Sequence, residues 1–297
     1  MVSYAPKKIL VATDGSQDAA SATRAAIDLA ARTGSELHVV HAWEALPPYA
    51  HPSIALATDA ALYEREAQNL LFEQLDGLKA AGVEVAGAHL ERGPAAEKIA
   101  DLAERLGVGL IVLGSRGLGR VKRLLLGSVS EGVLRLAPCP VLVMRGGPEA
   151  WPPRSIVVGE DLSEEAKRAA GIAANIGSLY EVSVLLVLVY QMIPETIREQ
   201  SMSAWTVDDE VLFRAWEHLH KLADRLESEC GQRPRISTAI GDPPSVILTA
   251  ADEGGAPSLV VVGSRGLGTV KSLVLGSVSA AVLRAARGPV LIVKAPP

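Results

Sequence analysis

An internal repeat is the feature that most constrains what this sequence can fold into. Residues 114–145 return as residues 263–294, with 21 of 32 positions identical, no gap and a constant offset of 149. Since the chain has 297 residues, this offset divides it almost in half, and each half has the length of one ordinary domain. The repeat predicts two domains of one fold, at residues 1–147 and 154–297, joined by the proline-rich linker 148–153.

The order of predicted elements is the same in both halves and indicates an α/β fold. In the first half, short apolar runs predict strands at 8–12, 36–42, 83–90, 110–113 and 141–144. Helices are predicted between them at 17–33, 59–81, 94–106 and from residue 129 onward. This alternation predicts a doubly wound, five-stranded, largely parallel sheet in each half, which binds ligands at the carboxyl ends of its strands.

Glycines at matched positions follow the fourth strand of each half. They form the pattern G-x2-G-x9-G-[ST], at Gly114, Gly117 and Gly127-Ser128, and again at Gly263, Gly266 and Gly276-Ser277. A buried strand, a glycine-rich turn and a helix start present backbone N–H groups to a phosphate, and glycine permits a positive φ and a close approach. We therefore predict a phosphate loop in each half, with a positive φ at Gly117. The alternative is a tight turn that binds nothing.

The loop matches neither of two common nucleotide motifs. Arg120-Val121 and Thr269-Val270 stand where a Walker A loop needs Lys-[Ser/Thr], and the spacing is not that of G-x-G-x-x-G. Basic side chains accompany each loop. They are Arg116, Arg120, Lys122 and Arg123 in the first half, and Arg265 and Lys271 in the second. They form either a phosphate clamp that is stronger in the first half or a solvated loop surface.

An aspartate follows the first strand of each half, at Asp14 and Asp161. Such a residue can cap the next helix, contact a ligand, or do both. Ala12 and Gly159, two residues earlier, are expected to lie under the ligand. Because glycine lacks a side chain, we expect more room at Gly159 and therefore two unequal sites.

Composition excludes several classes of function. The net charge of −5 leaves no basic surface for nucleic acid. The longest apolar run, residues 182–189, is too short to span a bilayer, and the first residues carry no signal-peptide pattern, so a cytoplasmic protein is expected. Two cysteines are too few for a disulfide framework or a metal site, and no catalytic triad is visible. The aromatic residues Trp205, Phe213 and Trp216 either form a lid with residues 191–210 or pack a long helix onto its sheet.

The start ILVATDGS, the glycine pattern and the closing strand PVLVMR occur in order, and each has a counterpart in the second half. On these motifs the whole chain resembles a tandem universal stress protein of the ATP-binding type. The resemblance implies a Rossmann-like fold of the adenine nucleotide alpha hydrolase type in each half. It also implies ATP, alone or with Mg²⁺, as the ligand. In that family the aspartate contacts the adenosine, the end of strand two reads adenine, and the glycine loop binds ribose and phosphates.

The resemblance assigns ligand-binding roles to matching positions in both halves. In the first half these are Ala12, Asp14, Ala42, Gly114, Ser115, Arg116, Gly117, Leu118, Gly119, Arg120, Gly127, Ser128, Val129 and Ser130. In the second half they are Gly159, Asp161, Val189, Gly263, Ser264, Arg265, Gly266, Leu267, Gly268, Thr269, Gly276, Ser277, Val278 and Ser279.

The resemblance further implies a regulatory role in stress or dormancy, exerted through nucleotide-dependent conformation or assembly. Family members dimerise through the C-terminal strand, which predicts either a homodimer or an internal pair of residues 141–144 with residues 290–293. A slow ATPase or phosphotransferase is the alternative, but no Mg²⁺-binding carboxylate pair, catalytic base or Walker lysine can be named beside the loop. A scaffold that binds no nucleotide is a third interpretation, which the complete motif disfavours.

Overall fold

The computed structural model describes residues 5–44, 60–117, 126–190, 209–253, 258–266 and 275–294, with backbone alone at 209–212. In the first half the elements are β1 (Lys8–Ala12), α1 (Gln17–Thr33), β2 (Glu36–Trp43), α2 (Ala60–Ala80), β3 (Gly87–Arg92), α3 (Ala95–Leu106), β4 (Leu110–Gly114), α4 (Ser128–Leu136) and β5 (Val141–Met144). After a short 3-10 turn (Pro148–Ala150) follow β6 (Ser155–Glu160), α5 (Glu164–Tyr180), β7 (Val184–Tyr190), α6 (Asp209–Cys230), β8 (Arg235–Ile240), α7 (Pro243–Asp252), β9 (Ser258–Gly263), α8 (Ser277–Ala285) and β10 (Val290–Val293).

The strands of these described ranges form one continuous sheet in the order β3-β2-β1-β4-β5-β10-β9-β6-β7-β8. Within each half all neighbouring strands are parallel, which confirms the predicted α/β fold with two doubly wound halves. The halves meet where β5 and β10 pair antiparallel, with Leu142 opposite Leu291. The predicted pairing of the two C-terminal strands therefore occurs inside this chain. The domain limits 1–147 and 154–297 stay a prediction.

Two helical layers cover the sheet, because successive side chains of a strand face opposite sides. Ile156 and Val158 belong to the core cluster that includes residues of α1, α2, α5 and α6, whereas Val157 belongs to the cluster that includes residues of α3, α4, α7 and α8. The central strands β4 and β9 are buried along their whole length, as expected for parallel strands covered on both faces.

Two predictions about secondary structure and packing were wrong. The third strand begins at Gly87 rather than residue 83, because the Val83 amide bonds back to the Leu78 carbonyl (3.0 Å) and pairing with β2 starts at Gly87. Phe213 and Trp216 do not pack onto the sheet, since 63% and 49% of their surfaces are exposed. The helical period of α6 turns other side chains inward instead: Ala215, Leu219, Leu222 and Leu226. Trp205 and residues 191–208 lie outside the described residues.

Asp28 of α1 holds the two halves together on one face of the sheet. Its Oδ2 accepts hydrogen bonds from Trp151 Nε1 (2.9 Å) and from the Tyr180 hydroxyl (2.5 Å). Its Oδ1 pairs with Arg32 (3.1 Å), whose guanidinium lies over the Tyr180 ring. One carboxylate thus joins α1, the segment between the halves and α5.

No helix in the described part of the chain is both long enough and apolar enough to cross a membrane.

Candidate functional site

A cavity of about 590 Å³ opens at the carboxyl edge of β1, β2 and β4. Its size lies within the roughly 300–1,000 Å³ of small-molecule sites. Ten of the residues assigned to the first site line it: Ala12, Asp14, Ala42, Gly114, Arg116, Gly117, Gly127, Ser128, Val129 and Ser130. The structure thus brings together residues that are far apart in sequence, in the crevice that the strand pattern predicted.

The position of the Asp14 carboxylate indicates why residue 117 is a glycine. A Cβ at Gly117 would collide with Asp14 Oδ2, and a Cβ at Gly266 would collide in the same way with Asp161 Oδ2. Neither glycine has a positive φ, so the predicted left-handed conformation at Gly117 was wrong. Glycine leaves the space that the carboxylate occupies here, and a larger residue would have to displace the carboxylate.

The two aspartates also shape the turn that begins the next helix. Asp14 Oδ1 accepts a hydrogen bond from the Ser16 amide (3.0 Å), and the Ser16 hydroxyl accepts one from the Ala19 amide (3.2 Å). Asp161 does the same with the Ser163 amide (3.0 Å). The serine is therefore the helix cap in each half, and capping alone does not account for the aspartate.

Hydrogen bonds join the residues described on either side of the glycine loop, at the end of β4 and the start of α4. The Ser130 hydroxyl donates to the Gly114 carbonyl (2.8 Å), and the Gly127 amide donates to the Ser115 carbonyl (2.8 Å). The matching bonds in the second half run from Ser279 to Gly263 (2.6 Å) and from Gly276 to Ser264 (2.8 Å).

The first turn of α4 offers donors to an anion. Gly127 is its N-cap and supplies no side-chain cap, while Ser128 and Val129 line the cavity. An α-helix leaves its first N–H groups without intrahelical partners, and its N-terminus attracts negative charge. In the second half Gly276 has the same N-cap position before Ser277 and Val278. Both loop helices can therefore receive a phosphate.

Asp18 fixes the start of the first loop. It accepts a hydrogen bond from the Ser115 hydroxyl (2.7 Å), and its Oδ2 lies 3.5 Å from Arg116 Nε. Ser115 is buried beneath the loop and does not reach the cavity, whereas Arg116 lines it. The other predicted loop residues lie outside the described residues: Leu118, Gly119, Arg120, Lys122, Arg123, Leu267, Gly268, Thr269 and Lys271.

The positions assigned to adenine, Ala42 and Val189, have the same register in the two halves. Ala12 lies opposite Val40 and Gly159 lies opposite Val187, so Ala42 and Val189 are each two residues further along their strands. Ala42 lines the first cavity. By register, Val189 is its counterpart.

The expected extra room at Gly159 was wrong. Ile247 Cδ1 lies 2.7 Å, and Val262 Cγ1 3.1 Å, from the position of a Cβ at Gly159. Side chains from α7 and β9 therefore fill the space that glycine leaves.

A buried glutamate, which sequence reasoning missed, distinguishes the second half. Glu160 follows Gly159 where the first half has Thr13, and only 4% of its surface is exposed. Its Oε1 accepts a hydrogen bond from the Leu162 amide (2.8 Å), while its Oε2 has no hydrogen-bond partner among the residues that the structure describes. Burial raises its pKa to about 7. Strand alternation gave the signal, because Glu160 lies on the same face as the buried Ile156 and Val158.

Other residues missing from the sequence-based site also line the first cavity. They are Thr13, Ala19, Val40, Ala95, Ile99, Leu113, Leu126 and Glu131. Ala95 and Ile99 come from α3, which follows β3 and so begins at the same carboxyl edge. Its position there follows from the alternation of strands and helices.

The fold and the paired loops define a tandem, doubly wound α/β protein with a ligand crevice at the carboxyl edge of its strands. The model of the universal stress protein family matches residues 6–145 and 153–294. The chain therefore belongs to the universal stress protein family.

Several known proteins are similar to this chain. A universal stress protein of Mycobacterium tuberculosis is 32% identical over 191 residues, a match that covers 62% of this chain and 61% of the relative. The crystal structure of a universal stress protein from Archaeoglobus fulgidus covers 99% of both chains with a TM-score of 0.71 at 22% identity, which shows a shared fold. A universal stress protein in complex with cAMP covers 47% of this chain and 96% of its own at 29% identity, with a TM-score of 0.37.

Proposed function

We propose that this protein binds an adenine nucleotide, ATP in the first instance, at two sites and acts through the state that the nucleotide stabilises. One observation carries the proposal. In each half a carboxylate after the first strand lies against the second glycine of the loop, beside the start of a helix without a side-chain cap. The repetition of this arrangement favours a ligand site over a tight turn that binds nothing.

The lining of the first cavity suits the parts of ATP. The first turn of α4 and Arg116 offer N–H donors and positive charge to phosphates. Asp14 offers an acceptor for a ribose hydroxyl. Val40 and Ala42 provide a small, apolar wall for the base.

A magnesium ion would be held mainly by the phosphates and water, as is usual for Mg²⁺. Asp14 and Glu131 are the carboxylates that line the first cavity and could reach such an ion or its waters. In the described ranges no group of three or more His, Cys, Asp or Glu side chains is placed to hold a metal by itself. Mg²⁺ is therefore proposed as a companion of the nucleotide.

The output would be a change of conformation or assembly, because a ligand stabilises whichever state binds it more tightly. This suits a regulator of stress or dormancy. A slow ATPase or phosphotransferase at the same sites is the alternative. It would require a general base or water-positioning group near the γ-phosphate.

The test begins with protein purified without added nucleotide. Mass spectrometry of what denatured protein releases, and calorimetric titration of the emptied protein with ATP, GTP and cAMP, should find an adenine nucleotide and a preference for ATP. If no adenine nucleotide is released and none changes the melting temperature, the proposal fails. Multiple turnovers of phosphate release that the double substitution Gly117→Ala and Gly266→Ala strongly reduces would establish the enzyme instead.

A further inference from the structure

In each half, a cationic side chain at the end of the last strand donates hydrogen bonds to a helix end of the other half. Arg145, directly after β5, donates to the Leu283 carbonyl near the end of α8. Lys294, directly after β10, donates to the carbonyls of Arg135 (3.0 Å) and Ala137 (2.8 Å) at the end of α4. The exchange follows from the antiparallel pairing of β5 with β10, which carries the end of each strand into the other half.

These contacts lie at the C-terminal ends of the two helices. The last carbonyls of an α-helix have no intrahelical partners, and that end attracts positive charge. The helices concerned are the two that begin at the glycine loops, with Gly127 and Gly276 as N-caps. Lys294 of the second half therefore holds the far end of the helix that forms the first site. Arg145 does so for the second site.

The same strand ends also hold the loops of their own halves. The Met144 carbonyl accepts the Ser115 amide (2.9 Å), and the Val293 carbonyl accepts the Ser264 amide (2.7 Å). Adjacent residues of one strand thus bind the loop of their own half and the helix of the other. One peptide unit and one side chain therefore connect the described start of each loop to the helix of the other half.

The pKa values of both cations are lowered in part by a neighbouring arginine of their own half. Arg145 is buried, and burial together with the nearby Arg116 lowers its pKa, against the opposing effect of Asp18. Burial and the nearby Arg265 lower the pKa of Lys294 to about 8. Arg116 is the loop arginine that the proposed function places near phosphates, and Arg265 holds the matching position in the second half. An anion beside either arginine would reduce its repulsion of the nearby cation, Arg145 or Lys294.

We infer that Arg145 and Lys294 are positioning residues that couple the two nucleotide sites, each linking the loop of its own half to the loop helix of the other. The inference rests on the proposed function, which supplies the ligand. Coupling of this kind is reciprocal, so ATP at one site changes the affinity of the other by the same factor in both directions.

The experiment reads one site at a time. Gly266→Ala should weaken the second site by roughly tenfold, as Gly117→Ala should weaken the first. The affinity of the first, tighter site for ATP is then measured with Lys294, with Lys294→Met and with Lys294→Arg. Lys294→Met should weaken the first site by about fivefold or more, within the usual range of coupling energies, while Lys294→Arg keeps the affinity. In the Gly117→Ala background, Arg145→Met should weaken the second site and Arg145→Lys should not. Arg168→Met removes an exposed cation of α5 and is the control.

The inference is supported if Lys294→Met lowers the ATP affinity of the first site more than that of the second, and Arg145→Met lowers that of the second more than that of the first. Equal losses at both sites, or a loss confined to the half that carries the substitution, overturn it. If the unsubstituted protein binds no nucleotide, the proposed function fails, and amide hydrogen exchange decides the positioning role. Lys294→Met should then speed exchange in the last turn of α4, where the Ala137 amide bonds to the Val133 carbonyl (2.7 Å), and leave α8 unchanged. Unchanged exchange in α4 overturns the inference.

Discussion

The carboxylate of Asp14 lies against the backbone of Gly117, and Asp161 has the same relation to Gly266. Since neither glycine has a positive φ, alanine would be tolerated by the backbone and excluded only by the carboxylate. Gly117→Ala should therefore displace Asp14 and weaken ATP binding at the first site by roughly tenfold or more, about 1.4 kcal/mol. The fold should be retained. Titration calorimetry with the second site blocked measures this change.

The matched control is Gly171→Ala in α5, where an added Cβ meets no atom within 4 Å. That variant should bind ATP as the unsubstituted protein does. Equal affinity in Gly117→Ala and Gly171→Ala would mean that the Asp14–Gly117 contact has no part in the site.

Glu160 predicts a dependence of stability on pH. Its pKa rises from 4.5 to about 7 on folding, because the folded protein buries the carboxyl. Below pH 4.5 the group is protonated in both states and has no effect on the free energy of unfolding. Between pH 4.5 and 7 the unfolded state loses its proton first, so stability falls as the pH rises, and above pH 7 the loss reaches about 3 kcal/mol.

Glu160→Gln imitates the protonated carboxyl and keeps an oxygen for the Leu162 amide. It should raise the free energy of unfolding by about 3 kcal/mol at pH 8 and by less than about 1 kcal/mol at pH 5. Urea unfolding at the two pH values measures both quantities. The exposed Glu84→Gln is the control. An equal effect of Glu160→Gln at both pH values would show that the carboxyl does not titrate in this window.

The repeat and the strand pattern predicted the fold and the edge of the sheet where the first cavity lies. Those features depend on periodicity and chain order, which a sequence displays directly. The reason for Gly117 could not be read in this way, because a glycine in a pattern can supply either an unusual φ or space for a neighbour. The neighbour, Asp14, is 103 residues away.

The roles of Arg145 and Lys294 show a second limit. Each follows a strand that the sequence predicted, yet its partner lies in the other half. The pairing of β5 with β10 within one chain had to be known first, and the sequence left a homodimer open. The packing of Ile247 into the space at Gly159 could not be predicted either. It depends on how a helix and a strand come together, and neither local sequence specifies that.

The two cysteines should differ in reactivity. Burial raises the pKa of Cys139 to about 12, and the residue is 7% exposed beside β5. Cys230 is only partly buried, at the end of α6. Because the thiolate is the reactive form, a thiol reagent at pH 8 should label Cys230 in the native protein and Cys139 only after unfolding. Peptide mass spectrometry distinguishes the two. Labelling of Cys139 at the same rate as Cys230 would show that the closing strand opens readily.

Asp28 should contribute to the stability of the junction between the halves. Asp28→Ala leaves the Trp151 N–H and the Tyr180 hydroxyl without their acceptor and removes the ion pair with Arg32. Loss of an acceptor shared by two partly buried donors should lower the free energy of unfolding by about 2 kcal/mol. Urea unfolding followed by circular dichroism measures the change. Tryptophan emission should shift to longer wavelength if Trp151 becomes wetter. Asp101→Ala, at an exposed position of α3, should change neither quantity, and a similar small effect of both substitutions would exclude a stabilising role for Asp28.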